Sequence, residues 1–213
     1  MLKIESLTRR YPHVTALDGL NMEIGHGQLY GFVGPNGCGK SVFFKTLCGY
    51  SLLTEGQVIY RGKIIGKEQD FIDDAGIVIE EPEFINSLSG LENLKILAEI
   101  QKKISEAEII EVLKQFDLYE DRNKKVGKYS VGMKQKLRLA QAVMEKPQVL
   151  ILDEPMNGLD KKSVKKVEDI LKAFVENGGT LLMTSHIEQQ VEACCKIVYE
   201  IDGGEILRVT VLQ

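Results

Sequence analysis

The chain has 213 residues, about one and a half average domains, which favours one domain with an additional lobe over two full domains. Apolar residues make up 44% of the chain and charged residues 27%, which excludes the disordered, collagen-like and coiled-coil classes. The net charge is −4, so the molecule as a whole is not drawn to nucleic acid or anionic lipid, and any contact with phosphate must be local.

The apolar runs are much shorter than the roughly 18 residues of a membrane-spanning helix, and the N-terminus lacks the basic and apolar regions of an export signal. We therefore expect neither feature. The four cysteines have neither the spacing of a metal site nor the density of a disulfide scaffold. We expect reduced thiols in a cytoplasmic protein. The adjacent pair Cys194 and Cys195 is expected to fill apolar positions on a helix face, and a redox device is the alternative for this pair.

The first part of the chain is predicted to consist of strands around one glycine-rich loop. Residues 2–24 alternate apolar and polar positions around a break at residues 11–13, which predicts two strands joined by a turn. A short apolar strand at 29–33 runs into the loop, and apolar residues at helical spacing follow over 42–50. The further strands predicted here are a hairpin at 57–60 and 63–65 and a buried strand at 75–79.

From residue 87 to 145 the apolar residues recur every three or four positions, which predicts an inserted helical lobe. Ser105 to Glu108 form a capping box that marks a helix start within it. After this lobe, strands and helices alternate again, which indicates a mostly parallel sheet with helices on both faces. The predicted elements are a strand at 149–152, a helix at 160–176, a strand at 180–184, a further helix, and a strand at 197–201.

The glycine-rich loop fits the pattern G-x-x-x-x-G-K-[ST], from Gly34 to Ser41, and it has the strand before it and the helix after it that this pattern requires. The glycines allow backbone N–H groups to turn towards phosphate oxygens, and a helix N-terminus adds favourable partial charge. The pattern predicts that Lys40 reaches the β- and γ-phosphates of a nucleotide and that Ser41 binds Mg²⁺.

A second motif follows the apolar strand at 149–152, which ends in the carboxylates Asp153 and Glu154. In a protein with a phosphate loop, Asp153 is placed to hold Mg²⁺ through its water shell. Glu154 is the natural general base for a water that attacks the γ-phosphate. Taken alone, such an acidic pair is equally well explained as a cap for the next turn.

Taken together, these motifs resemble the nucleotide-binding domain of ATP-binding cassette (ABC) transporters over nearly the whole chain. Residues 129–135, Tyr-Ser-Val-Gly-Met-Lys-Gln, resemble the family signature, and residues 157–160 resemble the loop that crosses the dimer interface. His186 resembles the switch histidine that contacts the γ-phosphate. Tyr11 lies where the family places an aromatic ring that stacks on adenine, although a packing tyrosine in a hairpin remains an alternative.

The resemblance implies an α/β phosphate-loop NTPase with a RecA-like, mostly parallel core sheet, a small antiparallel β subdomain and the helical lobe. We expect one domain over residues 1–213, with the β and core regions at 1–86 and 146–213 and the lobe at 87–145. The expected catalytic residues are Glu154, His186 and Lys40, and the expected metal ligands are Ser41, Asp153 and Glu80. The expected ATP-binding residues are Tyr11, Gly34, Pro35, Asn36, Gly37, Cys38, Gly39, Lys40, Ser41, Val42, Ser130, Gly132 and Asp160.

Three positions depart from the common family pattern. Glu80 stands where most members have a glutamine, and with the signature sequence this resembles the exporters of lantibiotic and bacitracin-type peptides. Val42 replaces a second hydroxyl residue, which removes one hydrogen bond to phosphate and weakens nucleotide binding by about 0.5 to 1.5 kcal/mol. Val131 replaces the first signature glycine. The pair of Asp153 and Glu154 is intact, so we expect an active ATPase.

The function implied by the resemblance is an ATP-hydrolysing subunit that dimerises around two MgATP, as a homodimer, and drives a separate membrane permease. We expect it in the cytoplasm, at the inner face of the cell membrane, and without a nucleic-acid partner. A soluble cassette ATPase that acts on ribosomes or DNA is the alternative, although neither a second cassette nor a long coiled-coil insertion is present. A kinase or GTPase is a third class, but residues 123–125, Asn-Lys-Lys, lack the aspartate of the guanine-reading motif.

Overall fold

The computed structural model describes residues 1–80, 84–187, 191 and 194–212. The strands are β1 (Leu2–Tyr11), β2 (Val14–Ile24), β3 (Leu29–Val33), β4 (Glu55–Tyr60), β5 (Lys63–Ile64), β6 (Ala75–Val78), β7 (Val149–Leu152), β8 (Thr180–Ser185), β9 (Ile197–Asp202) and β10 (Glu205–Val211). The helices are α1 (Lys40–Cys48), α2 (Gly90–Gln101), α3 (Glu106–Gln115), α4 (Val131–Val143) and α5 (Lys161–Glu176). Within these ranges, no helix combines the length and the apolar character needed to cross a membrane.

The core sheet has six strands in the order β10-β9-β3-β8-β7-β6. All neighbouring pairs are parallel except β10 with β9. The predicted mostly parallel sheet is therefore confirmed, and the carboxyl ends of its parallel strands share one edge, where ligands bind in such folds. Strand β10 was not predicted, because its apolar side chains Leu207, Val209 and Val211 are exposed and no buried run marks it.

Alternate residues of the core strands enter two different hydrophobic cores. All four residues of β7 are buried, with Val149 and Ile151 on one face and Leu150 and Leu152 on the other. This is the alternation that the strand period of two residues requires. The continuous apolar run at 149–152 therefore reflects a sheet that is covered on both sides.

The first face of the core sheet packs against α1 and against a four-stranded antiparallel sheet in the order β2-β1-β4-β5. The predicted hairpin is confirmed as β4 and β5, although β5 is shorter than expected. Arg61 and Gly62 connect these strands with φ angles of 50° and 83°. Two successive positive φ angles are typical of the tight turn that matches strand twist.

The second face of the core sheet shares its hydrophobic core with α2, α3 and α4, through buried residues such as Leu94, Leu113 and Leu137. Both α2 and α3 begin with a complete capping box, at Ser89 and Ser105, so the predicted start of α3 is confirmed. The helix predicted between β8 and β9 falls mostly outside the described residues.

Candidate nucleotide-binding site

The phosphate loop leaves the carboxyl end of β3 and passes directly into α1. Two of its glycines are required by geometry: a Cβ on Gly34 would lie 2.0 Å from the Ile201 carbonyl oxygen, and one on Gly39 would lie 2.5 Å from the Ala16 carbonyl oxygen. Both have positive φ, 154° and 111°. Gly39 is also the N-cap of α1, so the helix begins at Lys40, two residues before the apolar spacing at 42–50 that predicted a helix here. Lys40 and Ser41 therefore belong to the first turn of this helix.

Lys40 is only 7% exposed, and its ammonium group lies inside the loop. Its Nζ donates hydrogen bonds to the carbonyl oxygens of Gly34 and Pro35, at 2.7 and 3.0 Å. A buried cation held by backbone carbonyls next to a helix N-terminus forms a site for anionic phosphate oxygens. Cys38 lies in the same loop with its Sγ 3.7 Å from this ammonium group. All four cysteines are free, as predicted, and all four are buried, including the adjacent pair Cys194 and Cys195 expected at apolar positions.

Ser41 and Asp153 meet between α1 and the end of β7. The Ser41 hydroxyl donates to Asp153 Oδ2 at 2.5 Å, and the hydroxyl of Thr184, at the end of β8, donates to the other carboxylate oxygen. The Asp153 N–H donates to the Val78 carbonyl at 2.7 Å, which fixes the backbone of this residue to β6. The carboxylate is thus held in one orientation by two hydroxyl donors from two different elements.

These oxygen atoms suit Mg²⁺, which prefers oxygen ligands and usually takes one or two carboxylates together with phosphate oxygens and water. The described residues contain no group of three His, Cys, Asp or Glu side chains that could hold a metal ion by themselves. Ser41 and Asp153 therefore fit a metal whose remaining ligands come with a nucleotide, as the sequence predicts.

Glu154 has an unusual backbone conformation for a residue with a side chain, with φ at 49°. Its N–H donates to the Thr184 hydroxyl at 2.9 Å, and its Oε2 lies 2.8 Å from His186 Nδ1. Strained backbone of this kind is often found at functional sites. The structure thus brings two of the three predicted catalytic residues, Glu154 and His186, into direct contact.

Tyr11 lies at the end of β1 beside the phosphate loop and is 40% exposed. The Arg9 guanidinium lies 4.4 Å from the centre of its ring, and a hydrogen bond from this guanidinium is the main cause that lowers the pKa of Tyr11. The ring lines a cleft of about 480 Å³ that is also lined by Val14, Thr15, Ala16, residues 36–42, Asp153, Glu154, Gly203 and Gly204. An exposed aromatic ring at the mouth of a phosphate-loop cleft can stack on a nucleobase.

Glu80 follows β6 with φ at 58°, and its carboxylate forms an ion pair with Lys45 of α1. The structure therefore places this predicted metal ligand on a cation of the helix that follows the phosphate loop. The next two residues of the same segment, Glu81 and Pro82, lie outside the described part of the chain.

Ser130, Gly132 and Asp160 lie at helix starts and do not line the cleft around Lys40. Ser130 is the N-cap of α4 and accepts a hydrogen bond from the Met133 N–H at 3.2 Å, while Asp160 caps α5 in the same way at 2.9 Å from the Ser163 N–H. Ser130 and Asp160 are exposed. A single chain thus carries the predicted site residues in two separate groups.

Two functional candidates were missed from the sequence. Thr184 is fully buried, and its hydroxyl contacts both Asp153 and Glu154. The sequence feature that could have identified it is a polar residue at the end of an apolar strand. Gln135 is 5% exposed and its side-chain amide donates to the Pro155 carbonyl at 2.9 Å. This bond joins α4 to the segment after Glu154, and its position within the signature sequence was the available signal.

A phosphate loop between a strand and a helix, with paired carboxylates at the same edge of a parallel sheet, defines the chain as a phosphate-loop NTPase. The family model for ABC transporters matches residues 17–157, and the chain belongs to this family, as one of its ATPases. The resemblance inferred from the sequence is therefore confirmed.

Several curated relatives are similar over almost the whole chain. The ABC transporter ATP-binding protein YybJ of Bacillus subtilis is 35% identical over 206 residues, which cover 97% of this chain and 94% of the relative. The lantibiotic transport ATP-binding protein SrtF of Streptococcus pyogenes is 35% identical over 97% of this chain and 89% of its own. The bacitracin transport ATP-binding protein BcrA of Enterococcus faecalis is 32% identical over 97% and 68%.

The fold is also that of solved ATP-binding cassettes. A dimeric cassette in a post-hydrolysis state with ADP and phosphate superposes with a TM-score of 0.90 at 24% identity, covering 100% of this chain and 99% of that one. A nucleotide-free cassette gives a TM-score of 0.85 at 22% identity, covering 100% and 92%. The predicted fold class is confirmed by these matches.

Proposed function

We propose that two copies of this chain close head to tail over two MgATP molecules, and that ATP hydrolysis reopens them. The supporting observation is the division of the site residues into two groups. The cleft around Lys40 contains a nucleophile-activating carboxylate but lacks Ser130, Gly132 and Asp160. The start of α4 presents a hydroxyl and backbone N–H groups to solvent, which suits an anion supplied from outside the chain.

In the proposed dimer, one protomer supplies the nucleotide cleft. Tyr11 stacks on adenine, residues 34–42 surround the phosphates, and Lys40 neutralises their β and γ oxygens. Glu154 accepts a proton from the attacking water, and its contact with His186 holds the carboxylate at the γ-phosphate side of the loop. Bound Mg²⁺ would be held by Ser41 and Asp153, with Glu80 as a further candidate ligand, and would supply electrostatic stabilisation of the charge on the phosphates.

The partner protomer supplies Ser130 and Gly132 to the γ-phosphate, with Asp160 at the interface. Gly132 suits this close approach because it has no side chain, whereas Val131 is 70% exposed at the same helix start. Gln135 connects this helix start to the backbone after Glu154 in its own chain. A phosphate that binds at the start of α4 in one protomer is thereby connected, through Gln135, to the segment that follows Glu154 of that same protomer.

We further propose that the dimer drives a separate membrane permease that exports a peptide antibiotic or a related compound. The support is the similarity to relatives that are named as lantibiotic and bacitracin transport proteins, together with Glu80 and the signature sequence. The chain would then lie in the cytoplasm, at the inner face of the cell membrane. Purification from native membranes in mild detergent tests this, because a permease should copurify, and a purely soluble distribution would contradict it.

The dimer model is tested with Glu154→Gln, which removes the general base but preserves the size of the side chain. We expect this variant to form a stable dimer in ATP, with little hydrolysis, when its mass is measured by light scattering after size-exclusion chromatography. The double variant Glu154→Gln with Ser130→Arg is the control, because it keeps the cleft intact and obstructs the helix start. A Glu154→Gln protein that binds ATP and remains monomeric would refute the model.

A further inference from the structure

Lys45 lies on α1, one helical turn after Ser41, and its ammonium group donates to Glu80 Oε1. Residues four apart on a helix lie on the same face. Ser41 and Lys45 thus hold two carboxylates that follow neighbouring strands: Asp153 after β7 and Glu80 after β6. Through this arrangement, the helix that carries the phosphate loop is bonded to both strand ends.

The carboxylate of Glu80 brings a charge that a glutamine would not have. Asp153 and Glu154 already place two negative charges at the same edge of the sheet, where the carboxyl ends of β6 and β7 lie side by side. A third carboxylate at this edge is unfavourable unless a cation compensates it. Lys45 is the cation that the structure supplies. Its side chain is 33% exposed and that of Glu80 is 64% exposed, so water screens much of the attraction between them.

Lys45 also has a weak electrostatic effect on Tyr11. Its charge is the smallest of the causes that lower the pKa of the Tyr11 hydroxyl, after the hydrogen bonds of Arg9 and Ser51.

We propose that Lys45 is a positioning residue that competes with Mg²⁺ for Glu80. Without nucleotide, the Glu80 carboxylate forms its ion pair with Lys45. When MgATP binds, this carboxylate can reach the metal only after the ion pair opens. The pair thus lowers the apparent contribution of Mg²⁺ to nucleotide affinity by the free energy needed to open it. This inference rests on the proposed binding of MgATP in the cleft.

The test compares the affinity for a non-hydrolysable ATP analogue with and without Mg²⁺, measured by isothermal titration calorimetry. The ratio of the two dissociation constants gives the increase in affinity that Mg²⁺ causes, which we call the metal-dependent gain. In Lys45→Met no ion pair has to open, so we expect this gain to increase roughly two- to fivefold, the range of a partly exposed ion pair. Lys45→Arg keeps the cation and should retain the gain of the unmodified protein.

A double-mutant cycle shows whether Lys45 acts through Glu80. In the Glu80→Gln background, adding Lys45→Met should leave the gain unchanged, because no carboxylate remains to be released. Lys95→Met is the matched control, since Lys95 forms an exposed ion pair with Glu106 in the helical lobe. This control should leave the gain unchanged, and circular dichroism of each variant verifies folding.

Three results would overturn the inference: an unchanged or smaller gain in folded Lys45→Met, an equal effect of Lys45→Met with and without Glu80, or the same increase in Lys95→Met. Each of these leaves MgATP binding by the unmodified protein intact. If the unmodified protein shows no Mg²⁺-dependent gain at all, the proposed MgATP site fails together with the inference.

Discussion

Thr184 holds the two carboxylates of the hydrolytic site, and its replacement by valine is the most direct perturbation of that arrangement. The side chain is fully buried, its hydroxyl donates to Asp153, and it accepts the Glu154 N–H at 2.9 Å. Valine keeps the shape and the β-branched character of threonine and removes the hydroxyl. Thr184→Val therefore tests the hydrogen bonds without opening a cavity.

The expected magnitude follows from the two bonds that are lost. A hydrogen bond to a charged group contributes about 1.5 to 3 kcal/mol, and a buried N–H without an acceptor costs about 1 to 3 kcal/mol. Because the two losses share one hydroxyl, we expect the free energy of unfolding to fall by about 2 to 4 kcal/mol. If the charged bond also orients Asp153 in the transition state, kcat should fall about ten- to hundredfold.

The assays are urea unfolding for stability and release of phosphate at saturating MgATP for kcat. Thr180→Val is the matched control, because Thr180 lies at the opposite end of β8, is also buried, and accepts the Gly27 N–H at 3.0 Å. It should lose stability and keep kcat within about twofold, because only the backbone bond to Gly27 is removed. A kcat of Thr184→Val equal to that of the unmodified protein, or an equal loss in both variants, would refute the reasoning.

Two further predictions concern the phosphate loop and the helical lobe. Gly34→Ala should weaken binding of the ATP analogue more than about tenfold in calorimetry, since the new Cβ would collide with the Ile201 carbonyl. Gly178→Ala is the control, because Gly178 also has a positive φ but has open space around it, and this variant should retain the affinity. The hydrogen bond from Lys146 and the capping hydrogen bonds of Ser105 lower the pKa of Glu108 to about 2 from its usual 4.5. The stability that this carboxylate contributes is therefore fully present above pH 4.5 and is lost as the pH falls from 4.5 towards 2. Glu108→Gln should make the melting temperature depend less on pH between 4.5 and 2, and an unchanged pH dependence would contradict the role of the ion pair.

The local motifs were predictable because each is encoded by neighbouring residues. The apolar strand at 149–152 and the capping box at Ser105 depend on side-chain pattern and short-range hydrogen bonds alone, and both were found where predicted. The phosphate loop was found in the same way, with a difference of two residues at the start of α1. Strand β10 was missed, because its pairing with β9 supplies its stability while its apolar side chains face solvent.

The candidate site was predicted as a set of residues, and its geometry was not. Spacing along the chain indicates that Ser41, Asp153 and Glu154 serve one nucleotide, but these residues meet only because α1, β7 and β8 converge at one edge of the sheet. Thr184 has no motif of its own. Its hydroxyl acquires a role from two carboxylates that the parallel register of β7 and β8 brings beside it.

The sequence by itself determined the class of the protein, the order of its strands and helices up to β9, and the chemistry of its phosphate loop, because these depend on residue type and local spacing. The tertiary structure decided which side chains touch: His186 with Glu154, Gln135 with the backbone after Glu154, and Lys45 with Glu80. Such contacts join residues far apart in the chain, and packing of the core sheet against its helices brings them together. Glu80 shows the difference most clearly, since its sequence position predicts a metal ligand and the fold supplies the cation that holds it.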